Sequence, residues 1–248
     1  MTKTSLFADI SEEEYRALPH ISYSKISKFI TNGPESLLPD KPKKFKTTTV
    51  LGTLFDTLLT EPNKLSEKFF IGDDSLTDKQ LEIIQELAKL PELTEQLTID
   101  IFNKFEFYSS LKEPTRLKKL YTSDSVSSYI TALSNNQTLR YVTNTEIEMV
   151  KHKIEVLKTH PFTKDMFDDD NYELVYQAKV ISDVLNAKCM FDLLIIDHMH
   201  GIILPVDFKF VEDKARNFMR SFERFNYYIQ DTMYTDILNT EIINLGLN

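Results

Sequence analysis

The chain has 248 residues, 42% hydrophobic and 27% charged, which is the balance of a folded globular protein and excludes a disordered one. Its 29 basic and 38 acidic residues leave a net charge of −9, which weighs against a protein that coats duplex nucleic acid along its whole surface. A single cysteine, Cys189, excludes an intramolecular disulfide and a multi-cysteine zinc site, while five dispersed glycines exclude dinucleotide-binding and P-loop phosphate cradles.

No apolar run reaches the ~20 residues of a membrane-spanning helix, and Met1-Thr2-Lys3-Thr4-Ser5 leads into no secretory core, so a cytoplasmic protein without a membrane partner is expected. The chain reads as one domain, residues 1–248, in two parts. The first part, to about residue 165, is mainly helical. Ser11-Glu12-Glu13-Glu14 is a capping box that opens a short helix ended by Pro19. Ser24 caps a second helix, stopped at Asn32-Gly33-Pro34, and Val50 to Thr60 forms a third. Leu81, Ile84 and Leu87 keep the helical period, as do Ile147, Val150, Ile154 and Leu157 before His160-Pro161.

From about residue 170 to 240 the pattern becomes strands and a helix. Tyr172–Ile181, Lys188–Asp197 and Ile202–Phe210 read as strands, the last two joined by a turn at His198-Met199-His200-Gly201. From Lys214 to about Asn239 one helix is expected, with Phe218, Phe222, Phe225, Ile229 and Met233 as its buried stripe. The fold class is therefore mixed α/β, a sheet with an N-terminal helical region. Cys189 reads as a packed strand residue. His198 and His200 share a side of an extended segment, as metal ligands would, but a turn beside Gly201 is the simpler account.

The hairpin arithmetic is the sharpest clue. With that turn, cross-strand partners sum to 399, so Asp192 faces Asp207 with Cβ atoms about 4.5–5.5 Å apart. Lys209 projects from the same face as Asp207. Two acids and a lysine thus converge, and an oxygen-lined cluster of this kind suits magnesium or manganese. A surface hairpin with solvated acids is the competing account. Leu193, Leu194, Ile195 and Ile196, with Ile202, Ile203, Leu204 and Val206, look buried on both faces, and acids in such strands need a partner. Two basic runs, Lys41/Lys43/Lys44/Lys46 and Lys214/Arg216/Arg220/Arg224, could meet phosphates, but a solvated surface is the right account of most such runs.

Asp192, Asp207-Phe208-Lys209 and Gln230-Asp231-Thr232-Met233-Tyr234 together resemble the D…D-x-K…Q-x-x-x-Y signature of the PD-(D/E)XK nuclease superfamily. The form is that of its exodeoxyribonuclease VIII-like and RecB-type branches, many of them phage-encoded. Ile21-Ser22-Tyr23-Ser24-Lys25-Ile26 resembles the I-S-x-S-x-[LI] opening of that group. Gly52-Thr53-Leu54-Phe55-Asp56 through Glu61-Pro62 resembles its G-x-x-x-H…L-E-P segment, with Asp56 standing where the group carries a metal-binding histidine. Glu173 falls where many members have an acid on the preceding strand.

The resemblance implies a restriction-endonuclease-like core sheet flanked by helices and a Mg2+- or Mn2+-dependent DNA hydrolase, an exonuclease preparing DNA ends for recombination or repair. The alternative is a DNA-binding or assembly subunit that keeps the fold without turnover. Asp192 and Asp207 would bind metal, with Asp56, Glu173 and the Phe208 carbonyl as further ligands. Lys209 would orient the attacking water, and Gln230 and Tyr234 would steady the site and the DNA phosphates, with Arg216, Arg220 and Arg224 on the backbone. A homo-oligomeric ring around DNA and a single-strand annealing recombinase partner are the implied associations.

Overall fold

The computed structural model describes residues 5–37, 47–73, 75–210 and 217–247. The chain divides into two compact units, Met1–Pro42 with Lys158–Asn248, and Lys43–Leu157. In chain order the elements are α1 (Glu12–Ala17), α2 (Tyr23–Asn32), α3 (Thr47–Thr60), α4 (Leu65–Lys68), β1 (Phe69–Gly72), α5 (Asp78–Leu87), α6 (Glu95–Lys104), α7 (Glu113–Leu120) and α8 (Asp124–Asn135). They continue with β2 (Arg140–Thr143), α9 (Asn144–Thr159), β3 (Glu173–Ser182), β4 (Ala187–Asp197), β5 (Ile202–Val206), α10 (Phe218–Arg224) and α11 (Tyr227–Leu245). The protein is thus mixed α/β. Among the described residues no helix is long and apolar enough to cross a membrane.

The unit Lys43–Leu157 holds α3 to α9 and a two-stranded parallel sheet, β1 beside β2. Each strand has only four residues, too few to show a period. A Cβ on Gly72 would stand 1.9 Å from the Tyr141 Oη, so glycine is what lets Tyr141 cross the end of β1. The core gathers Ile83, Ile84, Leu87, Phe102, Leu120, Val126, Tyr129 and Leu133, all almost fully buried.

In the other unit, β3, β4 and β5 form an antiparallel sheet in that order. The β4–β5 ladder pairs Asp197 with Ile202 and runs to Leu193 opposite Val206, the register that the turn arithmetic requires. Strand β5 ends at Val206 rather than Phe210, so Asp207 and Lys209 lie just beyond the ladder. Being an edge strand, β5 is not buried on both faces as its composition suggests: Ile202 and Leu204 are exposed, whereas Leu193, Leu194 and Ile195 on central β4 are buried.

The N-terminal segment belongs to this unit. Ser11 caps α1 through the expected box with Glu14. Helix α2 begins at Tyr23 with Ser22, not Ser24, at its N-cap, because Ile21 is still bridged to Ala187 of the sheet. Lys188 is buried and donates to the carbonyl oxygens of Tyr15 (2.6 Å), Leu18 (2.9 Å) and Arg16 (3.2 Å), which closes the C-terminal end of α1 with a cation. Burial pulls the pKa of that ammonium down, with Lys25 and Arg16 adding to the effect.

The helix expected from Lys214 to Asn239 is two helices. Asn226 sits in the left-handed region (φ 54°, ψ 39°) and separates α10 from α11. The aromatic stripe is consequently not core: Phe225 is exposed, and α10 has no buried residue. The core under the sheet is made instead by Ile237 and Leu238 of α11 with Cys189, Phe191, Leu194, Ala178 and Val180.

Candidate active site

Core-facing positions on β4 run Ala187, Cys189, Phe191 and then Leu194, a step of three where strict alternation allows two. The step falls at Asp192. Across the sheet, the residue in register with Asp192 is Gln177, which has a left-handed backbone (φ 51°) and drops out of the β3–β4 ladder while the pairs on either side keep their register.

Asp192 holds the start of the next segment. Its Oδ2 accepts a hydrogen bond from the Phe208 backbone N–H at 2.7 Å. That bond fixes Asp207-Phe208-Lys209 where the β5 ladder has stopped. The Phe208 ring stacks on Phe167, centroids 6.1 Å apart at 11°.

Asp207, Lys209 and Gln230 then close a ring of polar contacts. Gln230 Nε2 donates to Asp207 Oδ1 at 2.7 Å, and Lys209 Nζ donates to Gln230 Oε1 at 3.1 Å. Lys209 also forms an ion pair with Asp207 Oδ2. A carboxamide donates to a carboxylate through its nitrogen and accepts from an ammonium through its oxygen, and glutamine at 230 does both. Under the lysine lies Tyr227, with Nζ 4.8 Å from the ring centroid. Burial raises the Tyr227 phenol above its ordinary value, and the Lys209 ammonium offsets only part of that rise.

One turn beyond Gln230 on α11, Tyr234 packs edge-on against Phe191 at 5.3 Å and 73°. Its phenol is held well above the ordinary tyrosine range, first by burial, and further by the charges of Tyr15, Cys189, Asp207 and Asp192. Tyr234 stays neutral throughout the physiological range.

Glu173 is in the same unit as the cluster but is not part of it. Glu173 pairs with Ile196, four residues or about 13 Å along the strand from Asp192, so the structure does not bring it to the cluster. Its carboxylate meets His198 Nε2 at 2.6 Å, and His200 Nδ1 contacts Asp197 at 2.7 Å. The Asp197 carboxyl is pulled below its usual range, chiefly by that His200 hydrogen bond. Both histidines thus serve the turn, with Gly201 at φ 65°. Asp56 lies on α3, in the other unit, where its carbonyl accepts from the Thr60 hydroxyl at 2.8 Å. Lys41, Lys43, Lys44, Lys46, Lys214 and Arg216 fall outside the described residues. Arg220 and Arg224 are exposed on α10.

Sequence reasoning missed Tyr227, Phe218 and Phe222 as neighbours of the cluster. Their signal was present, but a helical aromatic stripe reads as core unless the break at Asn226 is known. Among the described residues no group of three or more His, Cys, Asp or Glu side chains is gathered as a metal cage. Two carboxylates with hard oxygen donors nevertheless fit magnesium, which keeps waters and takes one or two carboxylates plus substrate phosphate oxygens. No protein-family model, no curated protein and no solved structure matches the chain.

Proposed function

We propose that this chain is a divalent-metal-dependent deoxyribonuclease of the PD-(D/E)XK type, an exonuclease working on DNA ends. The observation that carries the reading is the joining of Asp207, Lys209 and Gln230 in one hydrogen-bonded ring, with Asp192 held to the same segment by the Phe208 N–H. Three stretches far apart in sequence contribute to it, in the order of the nuclease signature. Strand β4, the segment just past β5 and helix α11 carry the four side chains, and this arrangement supports the reading of a restriction-endonuclease-like core.

Asp192 and Asp207 would hold Mg2+ or Mn2+, which when bound polarises the scissile phosphate and lowers the pKa of a bound water. Lys209, swung off Asp207, orients that water or meets the charge that develops on the phosphate. Gln230 keeps Asp207 and Lys209 in mutual reach during that exchange of partners. Tyr234, neutral and half-buried against Phe191, contributes to the wall beside them.

Linear and circular DNA incubated with Mg2+, Mn2+ or chelator tests the proposal. Linear DNA is expected to be degraded only with metal, and Lys209→Ala to slow the reaction at least ~100-fold, the scale of a lost catalytic group. DNA binding without metal-dependent cleavage in the parent protein would move the assignment to a binding subunit that keeps the fold. Cleavage that persists in chelator, equal in parent and Lys209→Ala, would reject the site.

A further inference from the structure

We propose that the pocket beside Lys209 takes one unstacked nucleobase, so that the substrate of this nuclease is an unpaired DNA end. The inference rests on the nuclease reading for its ligand class and adds what the pocket selects. The pocket has a volume of about 330 Å³. Asp207, Lys209, Gln230 and Asp231 line it together with the rings of Phe218, Phe222 and Tyr227.

The three rings pack against one another in the wall of the pocket. Phe218 and Tyr227 lie 6.3 Å apart and within 25° of parallel, and Phe222 stands 6.3 Å from the first and 6.4 Å from the second. Neither Phe218 nor Phe222 belongs to the core beneath the sheet, and both are only half-buried. An aromatic cluster at a pocket wall, instead of in the core, offers ring faces and edges on which a flat apolar partner can stack.

Hydrogen bonding orients the base. Among the described lining residues, Asp231 and the Gln230 carbonyl can accept from the amino groups of a base edge. Lys209, with Nζ over the Tyr227 face, is the described cation of the lining that can meet the adjoining phosphate. Size decides pairing. A pocket at the small end of ligand sites admits one base, and a base in a duplex has to leave its stack to enter. An end that is already single-stranded avoids that cost.

The test uses oligonucleotides with 2-aminopurine as the terminal base, single-stranded or in a blunt duplex, bound in chelator so that nothing is cut. Tighter binding of the single strand is expected, with quenching of the terminal probe as it stacks. Phe222→Leu is expected to weaken single-strand binding about 5- to 150-fold, the loss of one base–aromatic stack, and to abolish the quenching. Tyr227→Phe keeps the ring and should keep both. Circular dichroism melts establish that each variant is folded, and Phe218→Leu is an independent second probe. Equal affinity for single strand and duplex, or quenching unchanged in both leucine variants, would overturn the base pocket and leave the nuclease reading intact. Quenching as expected in a protein that shows no metal-dependent cleavage would overturn the nuclease reading and leave the pocket.

Discussion

Asp192 is where two demands meet in one side chain. It accepts the Phe208 N–H at 2.7 Å, a structural task, and it faces the segment that carries Asp207, a task of charge. The two can be separated by substitution. Asp192→Asn keeps an oxygen for the Phe208 N–H and removes the charge, so metal-free stability should stay within about 1 kcal/mol of the parent. Asp192→Ala leaves that N–H unpaired and should cost about 1–3 kcal/mol. Both variants should lose the rise in melting temperature that Mg2+ gives the parent, because a ligand stabilises only the state that binds it. Thermal melts in chelator and in Mg2+ check this, and an unaltered Mg2+ response in Asp192→Asn would mean that the carboxylate is structural only.

Among the elements, β3 carries the least expected feature. Gln177 has a left-handed backbone in the middle of a strand, at the position across from Asp192. A non-glycine residue held there costs of order 1–3 kcal/mol and persists only when its surroundings impose it. Gln177→Gly removes the Cβ penalty and should keep both fold and cleavage. Gln177→Val, with a branched Cβ that resists positive φ, should lower stability by about 1–3 kcal/mol and reduce cleavage by straightening the step at Asp192. Urea denaturation and a cleavage assay on both variants decide it: a valine variant as stable and as active as the parent would show that the step does not depend on this residue. A similar left-handed residue, Asn226, sets the angle between α10 and α11, with its side-chain Oδ1 accepting from the Tyr228 hydroxyl at 3.1 Å.

At the scale of the molecule, buried phenols set an alkaline limit on the fold. Tyr15 and Tyr234 in one unit and Tyr129 in the other are all held above the ordinary value of 10.0, mainly by burial. A pKa raised in the folded state stabilises the protein below the unfolded value and is lost as pH rises through the folded one. Unfolding frees these phenols to ionise, so above pH ~10 each should remove about 1.4 kcal/mol of stability per pH unit. Urea midpoints should be nearly level from about pH 8 to 10 and drop sharply by about pH 11. Phenolate absorbance should show a late class of tyrosines that titrates together with unfolding. Midpoints that ignore pH across that interval would mean these phenols reach water in the folded chain.

The amino-acid sequence by itself determined the local and the paired. Ser11 with Glu14 dictates the start of α1, and the four-residue turn at His198–Gly201 dictates the β4–β5 register, because a two-fold side-chain period leaves no freedom once a turn is placed. From that register came Asp192, Asp207 and Lys209, and the i, i+4 spacing put Gln230 and Tyr234 on one face of α11. Tertiary structure decided what depends on partners distant along the chain. The four-residue strands β1 and β2 exist because each has the other to pair with, and no period that short is legible. Glu173 was drawn away from the cluster by the length of β3, and the aromatic stripe left the core because Asn226 turned α10 aside. The step at Asp192 lies across from the left-handed Gln177 on a neighbouring strand. Alternation along β4 alone contains no sign of it, since the residue opposite belongs to a different stretch of chain.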